Sequence, residues 1–379
     1  MGQFAVEMPG TRRYIDHILI ASVLLLTGIG LVTLFSASYT FAERTKGDGL
    51  YFFSRQLFLG AAGLVLFIAG AKINLDFLRK FTKLLILGCF ILCCLTLIPG
   101  IGSTRNGASR WVSIGSLTYQ PSEMVKLVLP LYLAHAFDKK GAAGDFSLKG
   151  ILTPVAVTGL FAFLIYLQNN FSTAVFLVFN ALLIFYFAGV RFRYFFSAVF
   201  ILLPISVLSI LTKQHRLNRL LGLFVPDWDP QGAGYQVNAS LRTIGSGGFW
   251  GKGLGQGQIT RKISSIPEIH SDFIFSSFAE ESGFIGVLLF IGLFTVFAAR
   301  GYMGSMKNKK NFNRLLGLGL VTIILTQSLL NIAIAAGAAP VTGLPLPFFS
   351  AGGSSLATTL FAAGLIVNVS NSRHEQAEV

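Results

Sequence analysis

The chain has 379 residues, of which 53% are hydrophobic and only 12% charged. A soluble domain carries about 25% charged residues, so this composition excludes an ordinary water-soluble fold and predicts a polytopic, all-α membrane protein. The net charge of +14, from 30 Lys and Arg against 16 Asp and Glu, does not point to nucleic acid, because no soluble basic domain is there to carry it.

Ten apolar segments have the length of a membrane-crossing helix. They run roughly over 15–39, 53–71, 80–99, 121–137, 150–168, 171–188, 194–212, 273–299, 315–337 and 352–370. The fourth is short and begins polar. The polar stretch Thr11–Asp16 and the long first apolar run do not fit a cleavable signal peptide. Ten spans place both termini on one side. With the termini inside, 17 Lys and Arg fall on the inner side against five in the short outer loops (Arg44, Lys46, Arg55, Arg105 and Arg110). That asymmetry is the positive-inside signal. The chain reads as one integral membrane domain, 1–379, with a large outer loop at 213–272.

The first informative connection is "KINLDFLRKFTK" (72–83), a basic interfacial stretch suited to anionic headgroups. Cys89, Cys93 and Cys94 share the third span, with no His or carboxylate beside them in sequence. They read as buried apolar residues, not as a disulfide framework or a metal site. In "GASRWVSIGSLTYQPSEMVK" (107–126), Pro121 suits the first turn of a helix and Glu123 its positive end. A helix start needs no lysine one turn into lipid, so Lys126, on the face of Glu123 and just after Arg110, points to function.

Further on, "VPDWDPQGAGYQ" (225–236) mixes turn residues with Trp228 and Tyr235. The glycines of "GSGGFWGKGLGQGQ" (245–258) lack the phosphate-loop residues: Ser246 stands where Gly is needed, and Gly253 where Ser or Thr is. Two readings stay open, a turned or flexible loop and backbone N–H groups near a phosphate with Lys252, Arg261 and Lys262. In "SSIPEIHSDFIF" (264–275), Glu268, His270 and Asp272 alternate. They can hold a divalent cation such as Mg or Mn, or stand as surface groups with Asp272 capping the eighth span. Glu280 and Glu281 follow about 12 Å deeper, where a carboxylate needs a partner, water or a cation; Glu281 is thus a further metal candidate. "LPLPFFSAGGSS" (344–355) breaks the chain before the last span. Such backbone is tolerated beside protein or a wet cavity, with Ser354 and Ser355 as donors there.

Taken together, "NGASRWVSIG", "QPSEMVKL", "DPQGAGYQ", "GSGGFWGKGLGQGQ", "IPEIHSDFIFSSFAEESGFIG" and "LPLPFFSAGGSS" resemble, in family order, the SEDS proteins (shape, elongation, division, sporulation). The resemblance spans nearly the whole chain. It implies ten spans with cytoplasmic termini in a bacterial plasma membrane, and a glycosyltransferase that polymerises lipid II into peptidoglycan outside it. It places the catalytic aspartate on Asp272, the polar helix start on Glu123 and Lys126, and the loop arginine on Arg110. "GGSSL" and "NVSNSRH" resemble the division and sporulation branch more than the elongation branch. Two departures stand out. Asn169, Asn170 and Ser172 replace the family's Pro, Asp and Gly after Gln168, and Ala351 replaces a Tyr.

The mechanism that follows is inverting glycosyl transfer. The donor is a glycan chain on polyprenyl pyrophosphate, and the acceptor is the sugar 4-hydroxyl of lipid II. Asp272 is expected to act as general base. Arg110, Glu123, Lys126, Gln236, Lys252, His270 and Ser354 are expected to contact substrate, the cations stabilising the departing pyrophosphate. The implied partners are a class B penicillin-binding transpeptidase and other division or elongation proteins. A flippase or ion-coupled transporter using Glu280 and Glu281, and a non-catalytic scaffold, are the rival classes.

Overall fold

The computed structural model describes residues 15–105, 108–114, 117–142, 147–225, 233–257 and 271–371. Among the described residues, seven helices are long and apolar enough to cross a membrane: α1 (His17–Lys46), α2 (Tyr51–Lys72), α6 (Leu148–Leu167), α8 (Arg193–Leu211), α11 (Ile274–Met306), α12 (Asn311–Ala335) and α13 (Gly353–Asn371). Between them lie α3 (Leu75–Lys80), α4 (Thr82–Leu95), α5 (Pro121–Ala142), α7 (Phe171–Phe187), α9 (Gln214–Phe224) and α10 (Ala233–Ser246). Three of the ten expected spans fall short of that standard. Helices α4 and α7 have 14 and 17 residues, against about 20 for a full crossing. Helix α5 is long, but it carries Glu123, Lys126, His135, Asp138 and Lys139.

The all-helical expectation needs one amendment. Gly102–Arg105 (β1), Ala108–Ile114 (β2) and Leu117–Tyr119 (β3) form an antiparallel sheet in the order β1-β2-β3. The sheet fixes β2, and with it Arg110, just ahead of α5. The segment 213–272 is also not a bare loop, since its described part folds into α9 and α10. Ser240 ties α10 to the bundle through Ser276 Oγ and the Ala335 carbonyl.

Both ends of the described chain meet at one end of the bundle. Asp16 caps α1 by accepting from Leu19 N–H (3.1 Å). Its own N–H donates to Asn371 Oδ1 (3.1 Å), and its carboxylate pairs with Arg300 (2.8 Å). Arg79–Asp138 (2.6 Å) and Lys310–Asp76 (2.9 Å) join the connections at this same end. A chain whose ends meet here crosses the bundle an even number of times.

The core lies among α11, α12, α13 and the broken segment between the last two. Phe278, Phe290, Phe294 and Phe297 of α11 pack against Phe348 and Phe349, with Phe290 and Phe349 ring centroids 5.0 Å apart. The segment 336–352 is non-helical, as its prolines require, and protein surrounds its hydrophobic part: Leu344, Leu346, Phe348 and Phe349 are all buried. By contrast, the apolar side chains of α8 are largely exposed, as a lipid-facing helix requires.

Candidate functional site

At the end of the bundle away from the joined termini, β2, the α6–α7 turn, α9 and the start of segment 336–352 enclose a cavity of about 530 Å³. Its charged lining is Arg110, Lys213, Arg216 and Arg219, with His215 among them. Arg110 reaches it from the sheet and donates through Nη2 to the Asn169 carbonyl (2.7 Å). That carbonyl is presented by a turn in which Asn169 takes φ 58°, a left-handed conformation that Asn tolerates better than most residues. Arg216 holds the wall together: its guanidinium stacks on the rings of Tyr166 and Phe171 and donates to the carbonyl and hydroxyl of Ser209. This pins α9 to α6, α7 and α8 and leaves Lys213, His215 and Arg219 to the cavity.

Asp272 stands beside this basic wall. Its negative charge acts on both Arg110 and Arg219, opposing the burial that lowers their pKa values. Arginine keeps its proton under such a shift. Asp272 is not the cap of α11; that position is Phe273, which makes no side-chain capping bond. Instead, Asn331 Nδ2 donates to the carbonyls of Asp272 and Leu344 (2.9 Å each), and Ser350 Oγ donates to the Ser271 carbonyl. Gly343 lies under the carboxylate, where an added Cβ would be 3.6 Å from Asp272 Oδ2. The segment 336–352 is therefore the floor on which Asp272 rests.

Glu123 and Lys126 belong to that floor and do not line the basic cavity. They form a buried ion pair (2.8 Å), and Lys126 also donates to Gln327 Oε1 (2.8 Å). Gln327 in turn donates to the Pro345 carbonyl (2.7 Å). This chain of bonds connects α5 to α12 and then to the segment under Asp272.

Lys252 is placed elsewhere. It pairs with Glu280 (2.8 Å), which also accepts from Ser246 (2.9 Å). Of the two readings of the glycine-rich stretch before α11, the structure shows the turned loop, with positive φ at Gly248, Gly251, Gly253 and Gly255. It is a backbone clamp on a kink at Gly283, where φ is +65°. Lys252 and Gly253 N–H donate to the carbonyls of Glu280 and Glu281, and Phe284 N–H donates back to Gly248 (3.0 Å each). A Cβ on Gly283 would come within 2.2 Å of Gly251 N, so this close crossing needs glycine. Glu281 accepts through Oε1 from Ser36 and from Gly255 N–H, while its buried Oε2 has no hydrogen-bond partner among the described residues.

Gln236 on α10 and Ser354 at the start of α13 are half-buried, and neither lines the cavity. Glu268, His270, Arg261, Lys262 and Trp228 lie outside the described residues. Among the described residues no group of three or more His, Cys, Asp or Glu is placed to hold a metal. The cavity's cationic lining does not fit a divalent ion either.

Sequence reasoning missed Lys213, His215, Arg216 and Arg219. The signal was present in "KQHRLNRLLGLF", where Arg216 and Arg219 are three apart on an amphipathic helix.

This architecture is that of an integral membrane protein with an anion-attracting cavity at one end and a carboxylate beside it. The profile of the cell cycle protein family, which joins FtsW, RodA and SpoVE, matches residues 16–375, and the chain belongs to this family. It is 35% identical over 94% of its length to the probable peptidoglycan glycosyltransferase FtsW of Trichlorobacter lovleyi, covering 93% of that protein. It is 34% identical over 94% of its length to the stage V sporulation protein E of Bacillus subtilis, covering 96% of that protein. Its fold matches a chain from a study of how a peptidoglycan synthase complex coordinates polymerization and crosslinking. There the TM-score is 0.80 at 28% identity, covering 95% of this chain and 98% of the other.

Proposed function

We propose that the chain is a peptidoglycan glycosyltransferase that polymerises lipid II on the outer face of the bacterial plasma membrane, in the division and sporulation branch of its family. The observation that carries this reading is the position of Asp272 beside the basic cavity, at the end opposite the joined termini. The carboxylate of Asp272 accepts the proton of the lipid II 4-hydroxyl as that oxygen attacks the anomeric carbon of the donor sugar. The bond to the polyprenyl pyrophosphate breaks, and its charge develops against Arg110, Lys213 and Arg219. Stabilising charge as it develops is often the main source of an enzyme's rate enhancement. Glu123, Lys126 and Gln327 act from below, by holding the floor under Asp272.

With the shorter α4 and α7 and the more polar α5 also counted as crossings, the chain has ten spans and both termini are cytoplasmic. The basic residues near the joined termini then lie inside, as the positive-inside rule expects. The solved relative in a synthase complex supports a partner, which we take to be a class B penicillin-binding transpeptidase, because the described residues contain no soluble domain to crosslink peptides. A transporter reading needs Glu280 and Glu281 as mobile coupling acids, whereas one oxygen of each is engaged in holding the α11 kink.

The test is direct. Protein purified in detergent, where no membrane separates two sides, is given labelled lipid II and scored for glycan strands by electrophoresis. Strand formation is expected; a protein that binds lipid II and forms none is not the polymerase.

A further inference from the structure

The stretch 72–83 takes no part in the basic cavity or in holding Asp272. It lies at the opposite end of the bundle, where the termini join, and comprises the end of α2, helix α3 and the start of α4. Leu75 and Leu78 are buried and anchor α3 to the core. The other side of the stretch is bare. Phe77, Phe81 and Leu84 are 56%, 38% and 61% exposed, and the two rings touch, with centroids 4.6 Å apart. Helical bonds continue across the joint between α3 and α4, from Phe81 N–H to the Phe77 carbonyl (3.3 Å) and from Leu85 N–H to the Phe81 carbonyl (3.0 Å). Phe77, Phe81 and Leu84 thus follow one another at helical spacing. Lys80 and Lys83, both exposed, are interleaved with them.

A third exposed lysine comes from another helix. Arg79, Lys139 and Lys83 all act electrostatically on His135 of α5, so these cations of α3, α4 and α5 gather at one place. The carboxylates at hand are already engaged: Asp138 pairs with Arg79 (2.6 Å) and Asp76 with Lys310 (2.9 Å). No carboxylate among the described residues pairs with Lys80, Lys83 or Lys139. A bare apolar stripe beside unpaired cations fits an amphiphile with a negative head. A soluble anion leaves the stripe uncovered, and an apolar protein segment leaves the lysines without counter-charge. Aromatic rings and long lysine stems also suit the boundary between membrane and water.

We propose that this surface binds an anionic phospholipid, its phosphate held by Lys80, Lys83 and Lys139 and its acyl chains lying along Phe77, Phe81 and Leu84. The site goes beyond the polymerase reading and does not rest on it. A lysine near an anionic headgroup favours it roughly 5-fold at low salt, so three together give a preference of about 100-fold over a zwitterionic lipid.

The test uses the full-length protein in neutral detergent, loaded with a photoactivatable phosphatidylglycerol, irradiated, digested and mapped. Label is expected within 75–84. Unlabelled phosphatidylglycerol should compete for it about 100-fold better than phosphatidylcholine. Glycerol 1-phosphate, which has the charge without the chains, and hexaglutamate, which stands for an acidic protein, should not compete at the same concentration. Lys80→Gln/Lys83→Gln/Lys139→Gln should lose the label, and Arg at the same three positions should keep it. Arg191→Gln/Arg193→Gln is the control, because both residues are exposed at this same end, on the turn into α8. It should label as the wild type does.

Equal competition by phosphatidylcholine in the wild type overturns the proposal, and that result needs no variant to fold. Label confined to the basic cavity at the other end, or kept by the glutamine triple, overturns it as well. So does label lost in the Arg191 and Arg193 control, which shows only the diffuse charge of this end. Equal competition by glycerol 1-phosphate or hexaglutamate replaces the lipid with a soluble anion or an acidic protein. None of these outcomes touches the polymerase reading, which strand formation from lipid II decides.

Discussion

Two polar clusters flank the start of α11, and they handle charge in opposite ways. At the kink, Glu280 meets Lys252 and Ser246, and the backbones on either side exchange hydrogen bonds. In the cavity, Arg110, Lys213, Arg216 and Arg219 gather with no carboxylate among the described lining residues, and Asp272 stands only at its edge. The kink supplies its own counter-charge; the described lining of the cavity holds only cations. A buried ion pair in a membrane protein is thus weak evidence of chemistry, and crowding of like charges is the stronger sign.

The largest break in that comparison is Asp272→Asn. Asn keeps the size and removes the basicity. Phe273, not Asp272, is the N-cap residue of α11, so the substitution leaves that position unchanged. General-base assistance is typically about 10²–10⁴-fold, so strand formation from lipid II should fall by that factor with thermal stability near wild type. Activity within a few-fold of wild type would remove Asp272 from the mechanism.

Glu280→Gln should do the reverse. Gln can still bond Ser246, and Lys252 still donates to Ser246 Oγ (2.8 Å), but the counter-charge of Lys252 is gone. Lys252 is partly exposed, so water compensates in part, and the expected loss is about 1–3 kcal/mol of stability. The rate per folded molecule should barely move, which thermal unfolding and strand assays on one preparation resolve. A transporter reading expects Glu280→Gln to be more damaging to function than Asp272→Asn.

How legible each cluster was in the sequence follows from how far apart its members lie along the chain. Asp272 was visible because it sits at the edge of an apolar run, where a carboxylate is out of place. Arg110, and the ion pair of Glu123 with Lys126, were visible for the same reason, although the pair supports the floor and does not line the cavity. Helix α9 was not, because cations in a long outer loop say little about topology. Its Arg216 acquires a role only when Tyr166 and Phe171 arrive from 45 to 50 residues earlier in the chain. The glycines of 245–258 were equally opaque: what they approach is the backbone of α11, about 30 residues on, and no local pattern encodes that contact. The sheet was missed because strands of four, seven and three residues are short against the apolar segments around them.

Arg219 sharpens the comparison from the cavity side. It reaches the Val341 carbonyl only at 3.5 Å and feels the charge of Asp272, and on the proposed reading its guanidinium meets the ligand. Arg219→Ala should raise the KM for lipid II by roughly 10-fold, as for one lost charge-assisted bond. Arg219→Lys should recover only part of this, since a point charge replaces a planar fork. Initial rates against lipid II concentration measure both. Equal values for Arg219→Lys and wild type would show that only net charge matters there.

His215 carries the smallest expected effect and the clearest sign. Partial burial, then Arg216, Arg219, Lys213 and Arg110, hold its pKa below the ordinary histidine value. The folded protein therefore keeps His215 neutral at a pH where the unfolded chain has begun to bind a proton, from about 6.5 downward. More protons on the unfolded state means that stability falls as the pH drops through that value. The side chain is largely exposed, so the loss is small. A diphosphate in the cavity reverses the sign locally, because its charge offsets the four cations and raises the His215 pKa. Diphosphate binding should then strengthen slightly from pH 7.5 to pH 6, and His215→Gln should abolish that part of the pH dependence. Binding of farnesyl diphosphate to both proteins across this range measures it. An unchanged slope in His215→Gln would place the titrating group elsewhere and leave the cavity's charge to its arginines and lysine alone.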